Sequence, residues 1–556
     1  MTLARYDGNH VDSLESVLLA QAGPDTEEGE ARRLMGMLGA KVRGGRGGVR
    51  SEQRGSGRTV GATALTLAAA VAVTAWAGVA GAAEPVQPRN VILMIGDGMG
   101  REHVQAIRAA RQAAGQTLAM DEVNDAFTLM TTYSADAAIT DSSSAAAAMA
   151  TGYKTNNNWM SILPDGTVVP TLLEQAERMG KATGLVTTTQ VAHATPAAFV
   201  SHIKDRNDFN TIALEELASG VDVLMGGGRN NFEANQRPDG RDLIGEFKAL
   251  GYAYASTAAE LGSVDVTKTP RILGLFHKDN GLTPMKKRPA GSAEPTLSQM
   301  TAKALAALST NPNGFFLMVE GGQIDWESHN NNFDGMIGEG VEFDNAVRVA
   351  LDFVKAHPDT LLVVTADHET GGLTYNEQDG SYSWSSKDHT AANVAVRAKG
   401  AGAQEFNLAV MDNTQIAQIL ADLAGYPKPL VVQSLPVQDD RPGAPVQVAL
   451  KVTSFGRPVA GAEVKVDGKV VGLTNSNGQL KLDVAPVLAA AQAAAKAAQA
   501  AAEQGQAVDE AQVLPPAEDV LVVEAVKDGY EGYIGSVTVS GLDVNGAVSP
   551  AGQKAA

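Results

Sequence analysis

Short uninterrupted apolar runs alternate along this chain with stretches in which apolar residues recur every three or four positions. The runs fall at 89–95, 182–188, 221–225, 315–319 and 361–365, and helical patterns at 170–179, 298–309 and 340–356. A strand without polar alternation is buried on both faces, as in parallel sheets. Strands interleaved with helices therefore predict an α/β fold, with a mostly parallel central sheet carrying helices on both faces. Beyond residue 429 the pattern changes. Alternating strands at 445–452, 462–466, 479–484 and 520–526, punctuated by turns at Asp467-Gly468 and Asn477-Gly478, predict a C-terminal β-sandwich. An Ala-rich helical insertion over 486–518 interrupts it, with its alanine core between Leu488 and Glu503. The expected domains are 84–428 for the α/β unit and 429–556 for the sandwich.

The first 83 residues differ from both. Residues 1–59 read as a basic, unstructured leader, in which the arginines and lysine between Arg32 and Arg58 face only Glu52. Residues 60–83 carry no charge and end in Val-Ala-Gly-Ala-Ala. A basic region, an apolar region and a small-residue exit predict a secretory signal cleaved near Ala82 or Ala83, with translation starting at Met1 or at Met35 or Met37. Only an uncleaved signal would leave the protein attached to a membrane. Periplasm, cell surface and medium all fit such export.

Charge and composition narrow the chemistry. A net charge of −19 argues against nucleic acid as a specific partner, since nothing in the chain resembles a basic face. The chain has no cysteine, so disulfides, thiolate ligands and thiol nucleophiles are excluded. Any transition metal must be held by His, Asp and Glu.

Within the α/β region, residues 139–152 combine the capping residues Thr140 and Asp141, an alanine run and Gly152. Strong propensity between good caps predicts a helix with Ser142 in its first turn, where free N–H groups and the helix dipole favour an anion. Ser142 is a candidate nucleophile. The run at 89–95 leads to Asp97, the run at 315–319 to Glu320, and the run at 361–365 to Asp367 and His368. Three buried strands thus deliver acidic and imidazole groups to one sheet edge, where α/β folds bind ligands. Asp325 and His329 lie four apart and share a helical face. Such oxygen and nitrogen donors suit zinc or magnesium.

Six segments, taken in order, resemble the bacterial alkaline phosphatases over residues 88 to about 425. They are Ile-Gly-Asp97-Gly-Met-Gly; Thr-Asp141-Ser142 leading into Ala-Thr-Gly-Tyr-Lys-Thr155; Ala-Thr195-Pro; Val-Glu320-Gly-Gly-Gln-Ile-Asp325-Trp-Glu-Ser-His329; Thr-Ala-Asp367-His368-Glu-Thr-Gly-Gly; and Asp388-His389-Thr. The resemblance implies an alkaline phosphatase-like fold, hydrolysis of phosphate monoesters through a phosphoserine on Ser142, and two zinc ions with one magnesium. Asp325, His329 and His389 would hold one zinc, and Asp367, His368 and Asp97 the other. Asp97 would also reach magnesium, together with Glu320 and Thr195. Arg206 would clamp two phosphate oxygens, and a homodimer is implied.

His193 and Trp326 stand where the best-known bacterial pattern has Asp and Lys, so both are assigned to the substrate side of the site. An imidazole at His193 opens the third metal position to zinc or cobalt. His10, His103, His202, His277 and His357 show no partner spacing and read as structural or surface residues. Tyr153, residues 156–158 and Trp159 are expected to line or support the entrance. The C-terminal segment resembles a carboxypeptidase regulatory-like sandwich, which implies no catalysis. Two other readings are a phosphodiesterase of the same superfamily, which Arg206 disfavours, and a surface or matrix-binding protein with a structural metal site.

Overall fold

A computed structural model describes residues 87–436, 447–466, 468–483 and 520–538. The leader, the apolar segment 60–83 and the Ala-rich insertion lie outside the described residues. Among those described, no helix is long and apolar enough to cross a membrane.

The central sheet has ten strands: β1 (Asn90–Gly96), β2 (Ala126–Thr131), β3 (Ala182–Gln190), β4 (Val223–Gly227), β5 (Ala253–Ala255), β6 (Ile272–Leu275), β7 (Phe315–Gly321), β8 (Thr360–Thr365), β13 (Val394–Gly400) and β14 (Met411–Asp412). Their spatial order is β14-β2-β13-β8-β1-β7-β3-β4-β6-β5. From β8 to β5 every pairing is parallel, as the continuous apolar runs predict. Every residue of β1, β7 and β8 is buried. Successive strand side chains point to opposite faces, so both faces of the sheet are covered there. The antiparallel edge was not visible in the runs. β13 pairs antiparallel with both β8 and β2, and in both β2 and β13 buried positions alternate with more exposed ones. A strand with one wetter face has period two and breaks any search for uninterrupted apolar stretches. Two small ladders lie beyond β8: β9 (Glu369–Thr370) pairs with β12 (His389–Thr390), and β10 (Leu373–Tyr375) with β11 (Tyr382–Trp384).

The helices that matter for the site are α1 (Arg101–Ala113), α2 (Ser142–Thr151), α3 (Leu172–Arg178), α4 (Leu297–Leu308), α5 (Gln323–His329), α6 (Phe333–Ala356) and α7 (Thr414–Ala424). α3 and α4 each begin with a capping box, Thr171 with Glu174 and Thr296 with Gln299. The sequence pattern finds α6 only from residue 340. Its opening stretch, started by the Asn332 side chain accepting from Gly335 N–H, holds Gly335, Gly338 and Gly340 and is therefore weak in propensity.

Toward the C-terminus, β15 (Val431–Pro436), β16 (Gln447–Ser454), β17 (Arg457–Pro458) and β20 (Gln479–Asp483) make one four-stranded sheet. β18 (Glu463–Val466), β19 (Lys469–Leu473), β21 (Val520–Val526) and β22 (Tyr533–Thr538) make another. Val432, Val448, Leu450 and Val452 from the first sheet share a buried cluster with Val464, Val466, Leu521 and Val523 from the second. The two sheets are thus layers over a common apolar core.

Candidate metal and serine site

Adjacent strands converge at one end of the sheet. In the order β8-β1-β7, their carboxyl ends carry Asp367 and His368, then Asp97, then Glu320. The register sets Ile95 of β1 beside both Glu320 and Thr365, so the three acidic groups leave the sheet at one level. Asp97, Asp367, His368 and Glu320 are all fully buried.

Three clusters of ligating atoms result: Asp325 with His329 and His389, Asp97 with Asp367 and His368, and Asp97 with Glu320 and His193. The first is built from α5 and β12. His329 Nε2 stands 3.1 Å from His389 Nε2, while Asp325 lies 3.3 Å from His329 Nε2 and 3.6 Å from His389 Nε2. The other ring nitrogens turn outward: His389 Nδ1 lies 2.9 Å from the Thr140 carbonyl, and His329 Nδ1 bonds the Lys387 carbonyl. These contacts at Nδ1 turn both Nε2 atoms toward Asp325, the orientation a cation needs. Hydrogen bonding to Asp325 raises His329 to about 9, so cation binding there would release a proton.

In the second cluster His368 Nε2 lies 3.3 Å from Asp97 and 3.2 Å from Asp367. Its ring stacks on His389 with centroids 3.6 Å apart. Thr370 Oγ1 sits 3.2 Å from His368 Nδ1 and also bonds Asp325, tying the first two clusters together. In the third, His193 Nδ1 is 3.9 Å from Glu320. Thr187 and Thr189 hydroxyls donate to Glu320, yet burial still holds its carboxyl above the usual range, and the Thr195 hydroxyl of the one-turn helix Ala194–Ala197 is buried with no hydrogen-bond partner. Trp326 packs edge-on to His193 with centroids 5.8 Å apart.

The donor set fits cations. Both Asp97 oxygens, Asp367 Oδ2 and Glu320 Oε1 are buried and accept no hydrogen bond. Burial, and then the charges of Asp367, Asp325 and Glu320, push Asp97 well above the usual carboxylate range; burial drives Asp367 up to about 8. Several unpaired carboxylates packed together in a dry site are unfavourable unless positive charge joins them. Burial and then the Arg206 charge depress His193 to about 3, keeping its imidazole neutral and able to ligate.

Ser142 opens α2 beside these clusters. Asp141 is the N-cap, its side chain accepting from Ser144 N–H at 3.0 Å, and Gly152 ends the helix in the left-handed region at φ +80°. All ten helix residues are buried. Ser142 Oγ lies 3.2 Å from His368 Nε2. Arg206 donates to Asp141 at 2.9 Å, and its other terminal nitrogen lies 3.4 Å from His193 Nε2. Although burial alone would raise Asp141, the Arg206 charge and donation from Ser144 lower it to about 2.

Two residues of the stretch expected to support the entrance, and three threonines outside the expected set, hold this arrangement. Asn157 accepts from Asp141 N–H at 3.1 Å and from Ser144 Oγ at 2.8 Å, while Asn158 N–H donates to Asp141 at 2.9 Å. Thr187, Thr189 and Thr370 carry no spacing signal; of these only Thr370 stood inside a recognisable segment. His103, His202 and His277 pair with Ser328, Glu174 and Glu294 respectively and belong to none of the three clusters. His357 bonds the Phe353 carbonyl, and His10 lies outside the described residues. Tyr153 is a correction. It sits at the opposite end of α2 from Ser142, with its hydroxyl 3.0 Å from Thr453, because the ten-residue helix separates the two by about 15 Å. Trp159 lies under the Lys204 ammonium, 4.7 Å from its ring centre.

A buried serine at a helix start, facing three acid and imidazole clusters at the edge of an α/β sheet, defines a candidate metal-dependent hydrolase. The family model for alkaline phosphatase matches residues 88–383. The chain is 41% identical over 314 residues to alkaline phosphatase 3 of Bacillus subtilis, covering 55% of this chain and 66% of that one, just under two thirds of its length. It is 34% identical over 386 residues to the alkaline phosphatase of Escherichia coli, covering 56% of this chain and 81% of that one. The solved alkaline phosphatase of the Antarctic bacterium TAB5 superposes with a TM-score of 0.57 at 30% identity, covering 62% of this chain and 99% of that one. A histidine-to-aspartate variant of the TAB5 enzyme has Mg bound in its M3 site. The chain belongs to the alkaline phosphatase family. The family match ends before the C-terminal sheets, which rest on their own core.

Proposed function

We propose that this chain is an exported phosphomonoesterase in which Ser142 takes up the phosphoryl group and water then hydrolyses the phosphoserine. The observation that carries this reading is Ser142 Oγ, 3.2 Å from His368 Nε2, at the N-terminal end of a buried helix and against paired carboxylate and imidazole clusters.

Asp325, His329 and His389 would hold one zinc, and Asp97, Asp367 and His368 the other. Asp97, Glu320 and Thr195 would hold magnesium, with His193 close enough to favour zinc or cobalt there. Bound cations would lower the pKa of the Ser142 hydroxyl, neutralise charge on the transferred group and activate water. The chain's own residues do the rest. The start of α2 supplies positive dipole to an anion at Ser142. Arg206, aimed by Asp141, donates to two phosphoryl oxygens, and a diester offers one fewer free oxygen to that clamp. In-line attack by Ser142 Oγ on phosphorus expels the alcohol. Water then opens the phosphoserine and returns phosphate. His193 and Trp326 border the phosphate from the third cluster. The domain reading is a leader over 1–59, a cleaved signal over 60–83, a catalytic domain over 84–428 and a sandwich over 429–556.

The test is p-nitrophenyl phosphate hydrolysis at alkaline pH after chelation, then with zinc, magnesium or cobalt restored. Bis(p-nitrophenyl) phosphate and Ser142→Ala run alongside. Metal-restored monoester turnover, with Ser142→Ala lower by at least about a thousandfold, is the expected result. Undiminished Ser142→Ala turnover, or a preference for the diester, sinks the proposal.

A further inference from the structure

The C-terminal sheets touch the catalytic region at the far end of the serine helix. The turn between β16 and β17 is the two residues Phe455 and Gly456, with Ser454 paired to Arg457. Both turn residues are left-handed, at φ +45° and +73°. That is the conformation of a type I′ hairpin turn, whose usual first residue is Asn, Asp or Gly. A bulky aromatic residue there is strained by roughly 1–2 kcal/mol.

The strain persists because the Phe455 side chain has left its own domain. It is 5% exposed and belongs to the hydrophobic cluster of the α/β core, not to the cluster between the C-terminal sheets. The turn backbone also abuts the helix end. A Cβ built on Gly456 would stand 2.1 Å from the Gly152 carbonyl oxygen, and one built on Gly152 would stand 2.8 Å from the Phe455 carbonyl oxygen. Two left-handed glycines therefore meet with no space between them. Tyr153, next in the chain, bonds Thr453 at 3.0 Å and is buried with Leu163, Val169 and Val431. Arg457 donates to Gln418 at 3.2 Å and pairs with Asp422, both on α7, the helix packed against α2.

We infer that the Phe455-Gly456 hairpin tip is a brace on the C-terminus of α2, so that the C-terminal sheets help position Ser142. The inference rests on the reading of Ser142 as nucleophile. α2 suits such control: eight of its ten residues are serine or alanine, and none is aromatic. Met149 is its only long side chain, so little keys it laterally and its axial position depends on what meets its two ends. Asp141 and Asn157 hold the front; Phe455 and Gly456 stop the back. Displacement of a nucleophile by about 1 Å can lower a rate about a hundredfold. Phe455, Gly456 and Tyr153 are thereby positioning residues.

The decisive variant is Phe455→Gly in the full-length, metal-replete protein. It relieves the left-handed strain while deleting the plug, which separates loss of the brace from loss of the sandwich fold. The expected result is a fall in kcat of roughly tenfold, with KM for p-nitrophenyl phosphate and inhibition by inorganic phosphate changed by less than about twofold, because Arg206 is untouched. Amide hydrogen exchange from Ala148 to Gly152 should quicken, and Phe455→Leu, which refills the pocket, should recover most of kcat. Gly456→Ala, which pushes on Gly152, should lower kcat at least as far. A Phe455→Gly protein with wild-type kcat overturns the inference, as does a loss shared equally by phosphate binding. Unchanged exchange overturns the brace whatever Ser142 does. An active Ser142→Ala with quickened exchange instead removes the nucleophile reading and leaves the mechanical contact standing.

Discussion

Two buried acidic centres in this molecule have opposite fates. Asp344 on α6 is 1% exposed and accepts from Arg111 Nε at 2.9 Å, Ala119 N–H at 3.1 Å and Met120 N–H at 2.9 Å. Arg111 in turn donates to Gln116 and to the Val341 carbonyl. Asp97, equally buried, has neighbours that are mostly other carboxylates, and neither oxygen accepts a hydrogen bond. A buried carboxylate satisfied by the protein holds elements together, whereas one left unsatisfied among others of its kind is held ready for a cation.

The comparison breaks most sharply at Arg111. Arg111→Met strands Asp344 without its counter-charge and should cost about 3–5 kcal/mol in urea-induced unfolding, with KM unchanged in the folded fraction. A cost below about 1 kcal/mol would mean that the backbone donors alone satisfy Asp344.

The opposite sign is expected at the other centre. In chelated protein, Asp97→Asn removes one of several repelling carboxylates and should raise stability by about 2 kcal/mol, while abolishing metal-restored activity. If the chelated variant instead melts earlier than the chelated wild type, Asp97 is a structural acid and the contrast fails.

The smallest effect lies at Asp141, which belongs to both worlds because it caps α2 and holds Arg206. A carboxyl held low in the folded state contributes stability that is complete above its ordinary unfolded value and lost as pH falls through about 2. Asp141→Asn keeps the cap but loses the charge, so it should cost about 1 kcal/mol at neutral pH and progressively less below pH 4. Thermal unfolding of both proteins across that range checks the slope; a difference that grows toward low pH would reverse the assignment.

Much of this was legible without coordinates, and for identifiable reasons. Runs such as Val91–Ile95 and Leu361–Thr365 admit one reading because a parallel strand covered on both faces needs no polar positions. The helix that opens at Ser142 was legible because Asp141, the alanine run and Gly152 each carry a local helix signal, and the helix bounds agree with them. Asp97, Glu320 and Asp367 stood at run ends, where α/β chemistry collects. What escaped lacked a local signal. The antiparallel strands β2 and β13 alternate instead of running, the glycine-rich start of α6 has weak propensity, and Tyr153 was placed by nearness in sequence to Ser142 when the helix between them carries it away.

By itself the sequence determined which residues could ligate, which serine could attack and which stretches must be strand or helix, because these follow from residue chemistry and local periodicity. Only the tertiary structure decided that Thr187 and Thr189 donate to Glu320, that Thr370 bonds Asp325, and that Phe455 crosses from the C-terminal sheets into the α/β core. Those facts depend on pairs of residues scores to hundreds of positions apart meeting in space. No window along the chain contains both members of such a pair, and the energy that joins them exists only once the sheets have packed.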